Sequence, residues 1–332
     1  MLRGGGELVS VFAKEPDLVD AFVKRFPQAK RAREEKEVLE DKSDSTGAQL
    51  RDPGRPRAAR HPRHEARKDY MSRTSRASRR SSSSPEARKV QAETKRIYSI
   101  MYSERFENRA TVKAGELVKA GAIGQVIQTI GLGPHRITPA SRPGLVLRTR
   151  RSSAASSADI GSHQADQFLY ASRAPREPTS CSSQIGNVHH SDRPKFEDFG
   201  DVDAAEAIGG VGYIRVDWFT PDGLLYVGRR PAHDSRARTD SSRSARTSTS
   251  ADARAASHLF LVDNKDTRYI DTQDVVLPYG DQLVTDVLNR TETAMSQAHC
   301  FLATELMLKA QAQAQTVRFG LVATPTCGRS RS

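Results

Sequence analysis

The sequence alternates between segments with a hydrophobic period and segments with none, and only the first kind can supply a packed core. RDPGRPRAARHPRHEAR, SRTSRASRRSSSSPEA and GRRPAHDSRARTDSSRSARTSTSADARAA follow neither helical nor strand spacing. They are rich in Arg, Ser, Pro and Ala, a composition that buries too little apolar surface to order itself, so they read as disordered. A chain of 332 residues has room for one large or two medium domains. Its hydrophobic fraction of 36% and net charge of +12 taken alone point to a polyanion partner. That charge is local. Residues 43–85 hold 11 Lys/Arg against 4 Asp/Glu, and with residues 144–158, 171–182 and 225–256 the aperiodic windows reach +15, leaving −3 for everything else.

The periodic segments have ordinary local logic. ELVSVF (Glu7–Phe12) alternates as a strand, and PDLVDAFVKRF follows as a helix with Pro16 in its first turn and Leu18, Phe22 and Phe26 on one face. IYSIMY is a strand, ATVKAGELVKAG a helix stopped by Gly121, QVIQTIGL and VGYIRVDWF further strands, and SSQIGNV another. YGDQLVTDVLNRT and MSQAHCFLATELMLKAQAQAQ are late helices. A β-α-β beginning followed by longer strands and late helices predicts an α/β nucleotide-binding domain joined to an α+β domain. We divide the chain into residues 1–99, 100–318 and a tail, 319–332, with the last helix (295–316) packing back on the first domain. Cys181, Cys300 and Cys327 form no CxxC pair, which argues against a disulfide framework or zinc site and makes a reducing cytoplasm the default. The N-terminal apolar run is too short for a signal peptide, and no stretch reaches membrane-span length.

Three explanations fit the basic windows. They are flexible surface insertions, or the binding segments of an Arg/Ser-rich nucleic-acid-binding protein, for which no RNP-like aromatic pair or KH-type loop is present. Or they are translated out of frame, the explanation we favour. Tyr226–Ser235 can be encoded so that a one-base shift reads Met-Trp-Gly-Asp-Gly-Arg-Leu-Thr-Ile, and Arg73–Ser84 so that a shifted frame reads Asp-Lys-Pro-Gly-Val-Thr-Thr-Leu-Glu-Gln-Leu.

The chemistry concentrates in DIGSHQADQFLY. On a helix, Asp159, His163 and Asp166 share one face. A carboxylate beside an imidazole fixes its orientation and steadies its charged form, which makes a proton-transfer pair. The plainer alternative is a helix N-terminus capped by Asp159, with His163 merely polar.

ELVSVFAKEPDLVDAFVKRFP, IYSIMYSERFENRATVKAGELVKAGAIGQVIQTIGLGPHR, DIGSHQADQFLY, GYIRVDWFTPDGL and NRTETAMSQAHCFLATEL together resemble the glucose–fructose oxidoreductase / inositol dehydrogenase (Gfo/Idh/MocA) family of NAD(P)-dependent dehydrogenases. DIGSH looks like the end of that family's Gly-Gly-x-x-x-Asp-x-x-x-His motif, and SERF with GAIGQV like its Arg-Phe and Gly-x-Ile-Gly passage. The resemblance implies a Rossmann-type NAD(P)-binding domain, here with its first strand missing and others disrupted, followed by an α+β domain whose open mixed sheet forms a substrate floor and a homo-oligomer surface. It implies hydride transfer between NAD or NADP and a hydroxyl carbon of a sugar, cyclitol or related polyol, with His163 as acid/base and Asp159 orienting it or binding substrate. Arg105, His135 and Asp166 are expected to line the substrate cleft. On this reading no metal, nucleic acid or membrane takes part.

Departures from the family pattern predict impaired activity. The chain opens on what resembles the family's second strand, which implies a truncation, and Gly4–Gly6 precede a strand and open no helix. The Glu/Asp-Lys-Pro lysine should fall near Ser72–Thr74 and is absent, while Lys68 matches a different position. SSAASSA replaces the paired glycines before Asp159. The resemblance implies Glu15 as the counterpart of the acid that reads the ribose. Elsewhere, His189–His190 read better as a loop pair than as metal ligands, Glu197–Asp201 as a solvated turn, and Trp218 as sheet core or interface.

Overall fold

The structure is a computed structural model and describes residues 4–13, 15–41, 46–49, 68–72, 85–135, 160–172, 180–191, 194, 196–206, 210–220, 232–237, 241–245 and 258–317. The N-terminal part runs β1 (Ser10–Val11), α1 (Pro16–Arg25), β2 (Lys30–Arg31), α2 (Glu35–Glu40), β3 (Thr46–Gln49), β4 (Asp69–Ser72), α3 (Pro85–Thr94) and β5 (Tyr98–Ile100). Every pair here is parallel, as βαβ crossovers require. The strands form two sheets, β1-β2 and β3-β4-β5. In the doubly wound order 3-2-1-4-5-6, the position between two such groups belongs to the first strand. No described strand pairs there, so β1 and β3 each keep one edge without a described partner. Pro16 opens α1 as expected, but Val19 is its buried residue and Leu18 is 57% exposed. A two-stranded sheet covers only a narrow stripe of the helix.

The remainder runs α4 (Ser103–Phe106), α5 (Arg109–Lys119), β6 (Val126–Pro134), α6 (Gly161–Ser172), β7 (Ser180–Gly186), β8 (Phe199–Ala205), β9 (Val211–Asp217), β10 (Ala232–Ala237), β11 (Ser241–Ala245), β12 (His258–Val262), β13 (Thr267–Ile270), α7 (Tyr279–Asn289), α8 (Gln297–Gln313) and β14 (Gln315–Val317). Asn108 caps α5 by accepting from the Thr111 amide, and Gly121 follows the helix at φ +79°, the left-handed stop its position predicted. One mixed sheet takes the order β13-β12-β11-β10-β6-β9-β8-β7-β14. The α/β class with a second, open mixed sheet is therefore as expected.

Two expectations need correction. β10 and β11 fall inside residues 225–256, which composition marked as disordered. β10 pairs antiparallel with β6, and β11 with β12, so periodic neighbours on both sides supply partners for a backbone ladder that composition does not report. The segment Glu197–Asp201 is not a solvated turn. Asp198 is fully buried, and Phe199 begins β8. The Asp198 carboxylate accepts from the amides of Val188, His189 and His190 and contacts His190 Nδ1 at 3.0 Å, closing the loop after β7. His189 and His190 belong to that loop.

One face of the large sheet is covered. α6 packs on β6 and β9, α8 packs on β7 and α6, and α8 also reaches β5. The helix lies close to the sheet because a Cβ at Gly212 would stand 2.7 Å from the Phe168 ring. Along β9 the inward residues Ile214 and Val216 are buried, while Tyr213, Arg215 and Asp217 face the other side. Tyr70, Tyr98 and Phe301 stack in series with centroids 5.0 and 5.4 Å apart, tying the parallel sheet to α8. Each such pair contributes about 0.5–1.5 kcal/mol beyond its buried area. Cys300 on α8 is completely buried in the same core. No helix among the described residues is long and apolar enough to cross a membrane.

Candidate active site

The chain leaves β5 at the C-terminal end of the parallel sheet, where open α/β sheets bind ligands. Two residues on, Tyr102 is fully buried, and burial pushes its hydroxyl well above the usual range. It hydrogen-bonds Thr304 of α8 at 3.2 Å and meets the His163 ring edge-on at 5.8 Å. His163 stands in the first turn of α6, its amide bonded to the Ile160 carbonyl at 3.0 Å. Its expected partner Asp159 lies outside the described residues, as do residues 73 and 74 of the Ser72–Thr74 stretch. Ser72 ends β4.

Arg105 and Asp166, expected at the cleft, meet each other. The Arg105 guanidinium donates twice to the Asp166 carboxylate, at 2.6 and 2.7 Å, and the two side chains are 7% and 0% exposed. Phe106 and Tyr170 hold the guanidinium between their rings at 3.9 and 4.5 Å. His299 of α8 adds a contact to Asp166 Oδ1 at 2.8 Å. Burial alone works to raise the Asp166 carboxyl, but Arg105 and His299 outweigh it and hold the group below its ordinary range. This cluster binds α4, α6 and α8 to one another from beneath.

His135 follows β6, with its Nδ1 3.0 Å from the Gly133 carbonyl and its Nε2 3.6 Å from Glu104 Oε1. The other Glu104 oxygen accepts from Gln164 Nε2 at 2.7 Å. Trp218 is 3% exposed against His135 and Phe196, which makes it core. Lys68 donates to the Val38 and Asp41 carbonyls at 3.0 and 2.6 Å, tying down the C-terminal end of α2 at the far end of β4. Glu104, Gln164, His299 and Tyr102 were missed by sequence reasoning. They converge from α4, α6, α8 and the end of β5, and no spacing along one element links them. The only local sign was Glu104 beside the quoted Arg-Phe pair.

The residues that would cradle a dinucleotide pyrophosphate are not among these. The turn from β1 into α1 contains no glycine, and it places Glu15 at the N-cap of α1 and Asp17 in its first turn. Gly4 instead lies against Asp281 of α7.

No family model and no curated protein matches this sequence. Among solved structures, a protein from Erwinia carotovora atroseptica SCRI1043 designated an oxidoreductase is 30% identical, with a TM-score of 0.84 over 96% of this chain and 94% of that one. A levoglucosan dehydrogenase in complex with NADH and levoglucosan is similar at a TM-score of 0.66 and 13% identity, covering 91% of this chain and 87% of its own. An aldose-aldose oxidoreductase from Caulobacter crescentus, complexed with glycerol, gives a TM-score of 0.71 at 14% identity, covering 93% and 89%. The last two share the fold. At 30% identity across nearly its whole length, the chain belongs to the oxidoreductase family represented by the Erwinia protein.

Proposed function

We propose that this is an oxidoreductase of the Gfo/Idh/MocA type, built for hydride transfer between NAD or NADP and a hydroxyl carbon of a sugar, cyclitol or related polyol. The observation that carries the proposal is His163, set in the first turn of α6 against Tyr102 beyond the C-terminal end of β5. As hydride leaves a carbinol carbon, its oxygen must lose a proton, and an imidazole takes it near neutral pH. Asp159 orients His163 or binds substrate, and His135 reaches the substrate. The first domain, residues 1–99, would hold the cofactor, and residues 100–318 the substrate. The sheet face opposite α6, with Leu132 and Val211 exposed at 40% and 43%, is the surface we assign to self-association.

In this chain the activity is impaired. The lysine expected near Ser72–Thr74 and the paired glycines expected before Asp159 are absent from the sequence, which weakens nicotinamide binding and catalysis together. Titrating the purified chain with NADH by fluorescence is expected to give weak or no binding. The protein translated with its basic windows in the alternative frame regains that lysine and those glycines, and is expected to bind NADH more tightly than this chain and to oxidise polyols. Tight binding by the chain as it stands overturns the impairment, and an inert frame-restored enzyme overturns the reaction. The nucleic-acid-binding alternative gains no support from the fold or from the related structures.

A further inference from the structure

The turn that carries His163 is seated by the residue next to it. The leading amides of a helix lack intrahelical acceptors, so its first turn is the part least held by the helix itself. Gln164 is 1% exposed and lies across Gly131 of β6, where a Cβ would stand 3.2 Å from its Cδ, 3.3 Å from its Cβ and closer still to its Oε1. Its Nε2 donates to Glu104 Oε2 of α4 at 2.7 Å. Among the described residues its Oε1 has no hydrogen-bond partner, so the bond to α4 is what fixes the amide. A methyl on Gly131 is admitted only if the amide swings away, and that movement breaks the bond. Gly133, on the same face of β6, differs. A Cβ there would meet Val216 at 3.0 Å and Ile160 at 3.1 Å, and the Gln164 amide nitrogen at 3.6 Å, an ordinary contact.

We propose that Gln164 is the positioning residue of His163. Wedged over Gly131 and tied to Glu104, it fixes the height and rotation of the first turn of α6, and with it the imidazole beside Tyr102. The turn moves as one piece, because the His163 amide donates to the Ile160 carbonyl at 3.0 Å and the His163 carbonyl accepts from Gln167 Nε2 at 3.2 Å. This rests on the acid/base reading of His163 above. A group that takes a proton in the transition state has to be held closely, since a misplacement of about 1 Å costs about a hundredfold in rate.

The test is a double-mutant cycle read by NMR in the full chain labelled at histidine and tyrosine. It follows the His163 ring signals and their cross-peak to the Tyr102 ring, with His258 on β12 as the reference for changes that spread through the molecule. Gly131→Ala and Gln164→Ala are each expected to shift the His163 signals and weaken the cross-peak while His258 stays in place. Adding Gly131→Ala to Gln164→Ala is expected to change nothing further, because the amide that the methyl meets is gone. Gly133→Ala is expected to give the same shift in either background. Shifts from Gly131→Ala that are equal in both backgrounds overturn the wedge, and so does an unmoved His163 in Gln164→Ala. Should Gly131→Ala lose its circular dichroism, Gln164→Leu decides, since it fills the same space without the donor. A shifted His163 in that variant supports the tether to Glu104, and an unmoved one overturns it. The cycle reads placement and not turnover, so its failure leaves the polyol reading standing. An inert frame-restored enzyme removes that reading instead, and the catalytic meaning of the wedge falls with it.

Discussion

β6 is flanked by two antiparallel pairs in one sheet, β9–β8 on one side and β10–β11 on the other, and the two are built differently. In β9, buried and half-exposed residues alternate, and across β8 Asp201 faces Arg215 in an ion pair at 2.7 Å. In β10 and β11 the sequences AHDSRA and SSRSA carry no apolar alternation, yet the backbone ladder is continuous from Leu132 through to Val262. A ladder can propagate from its neighbours, because every residue except proline brings the same donor and acceptor. An apolar alternation adds cross-strand side-chain pairs that fix register and resist opening.

The contrast can be broken first at the charge cluster under the patterned side. Asp166→Ala leaves the buried Arg105 guanidinium without its carboxylate and is expected to cost about 3–5 kcal/mol in urea unfolding. The same residue gives a pH signature. Its folded-state value is depressed, so its contribution is complete above the unfolded value, about 3.9, and drains away as pH falls from there through the lower folded value. Asp166→Asn should flatten that acid limb. An unchanged limb would mean that other carboxylates carry it. Next, Ile214→Ala removes a 1%-exposed side chain from β9 and is expected to cost about 2–5 kcal/mol. Smallest in energy, hydrogen exchange should find the amides of β10–β11 opening well before those of β8–β9. Equal protection would show that patternless strands are as well anchored as patterned ones.

The same contrast explains what could be read from the sequence. α5 was legible because its helical run ends on Gly121, a local stop signal. β9 and α8 were legible for the same kind of local reason. β10 and β11 were not, since their evidence is the pairing partner and not their own residues. The boundary drawn after residue 99 falls inside β5, which ends at Ile100. At the site, His163 could be read from its motif, while Glu104, Gln164 and His299 owe their positions to three elements meeting. Arg105 and Asp166 were expected to line the cleft and bond each other instead, because charge in a sequence does not say whether the partner is a ligand or another side chain.

Cys300 makes one of these junctions chemically addressable. Its thiol is wholly enclosed, and burial drives it well above its usual range, so neither access nor ionisation favours a reagent while α8 is seated. Alkylation at that sulfur therefore acts as a stopwatch for departure of α8 from β5 and α6, timing the separation of the two halves of the molecule without an added label.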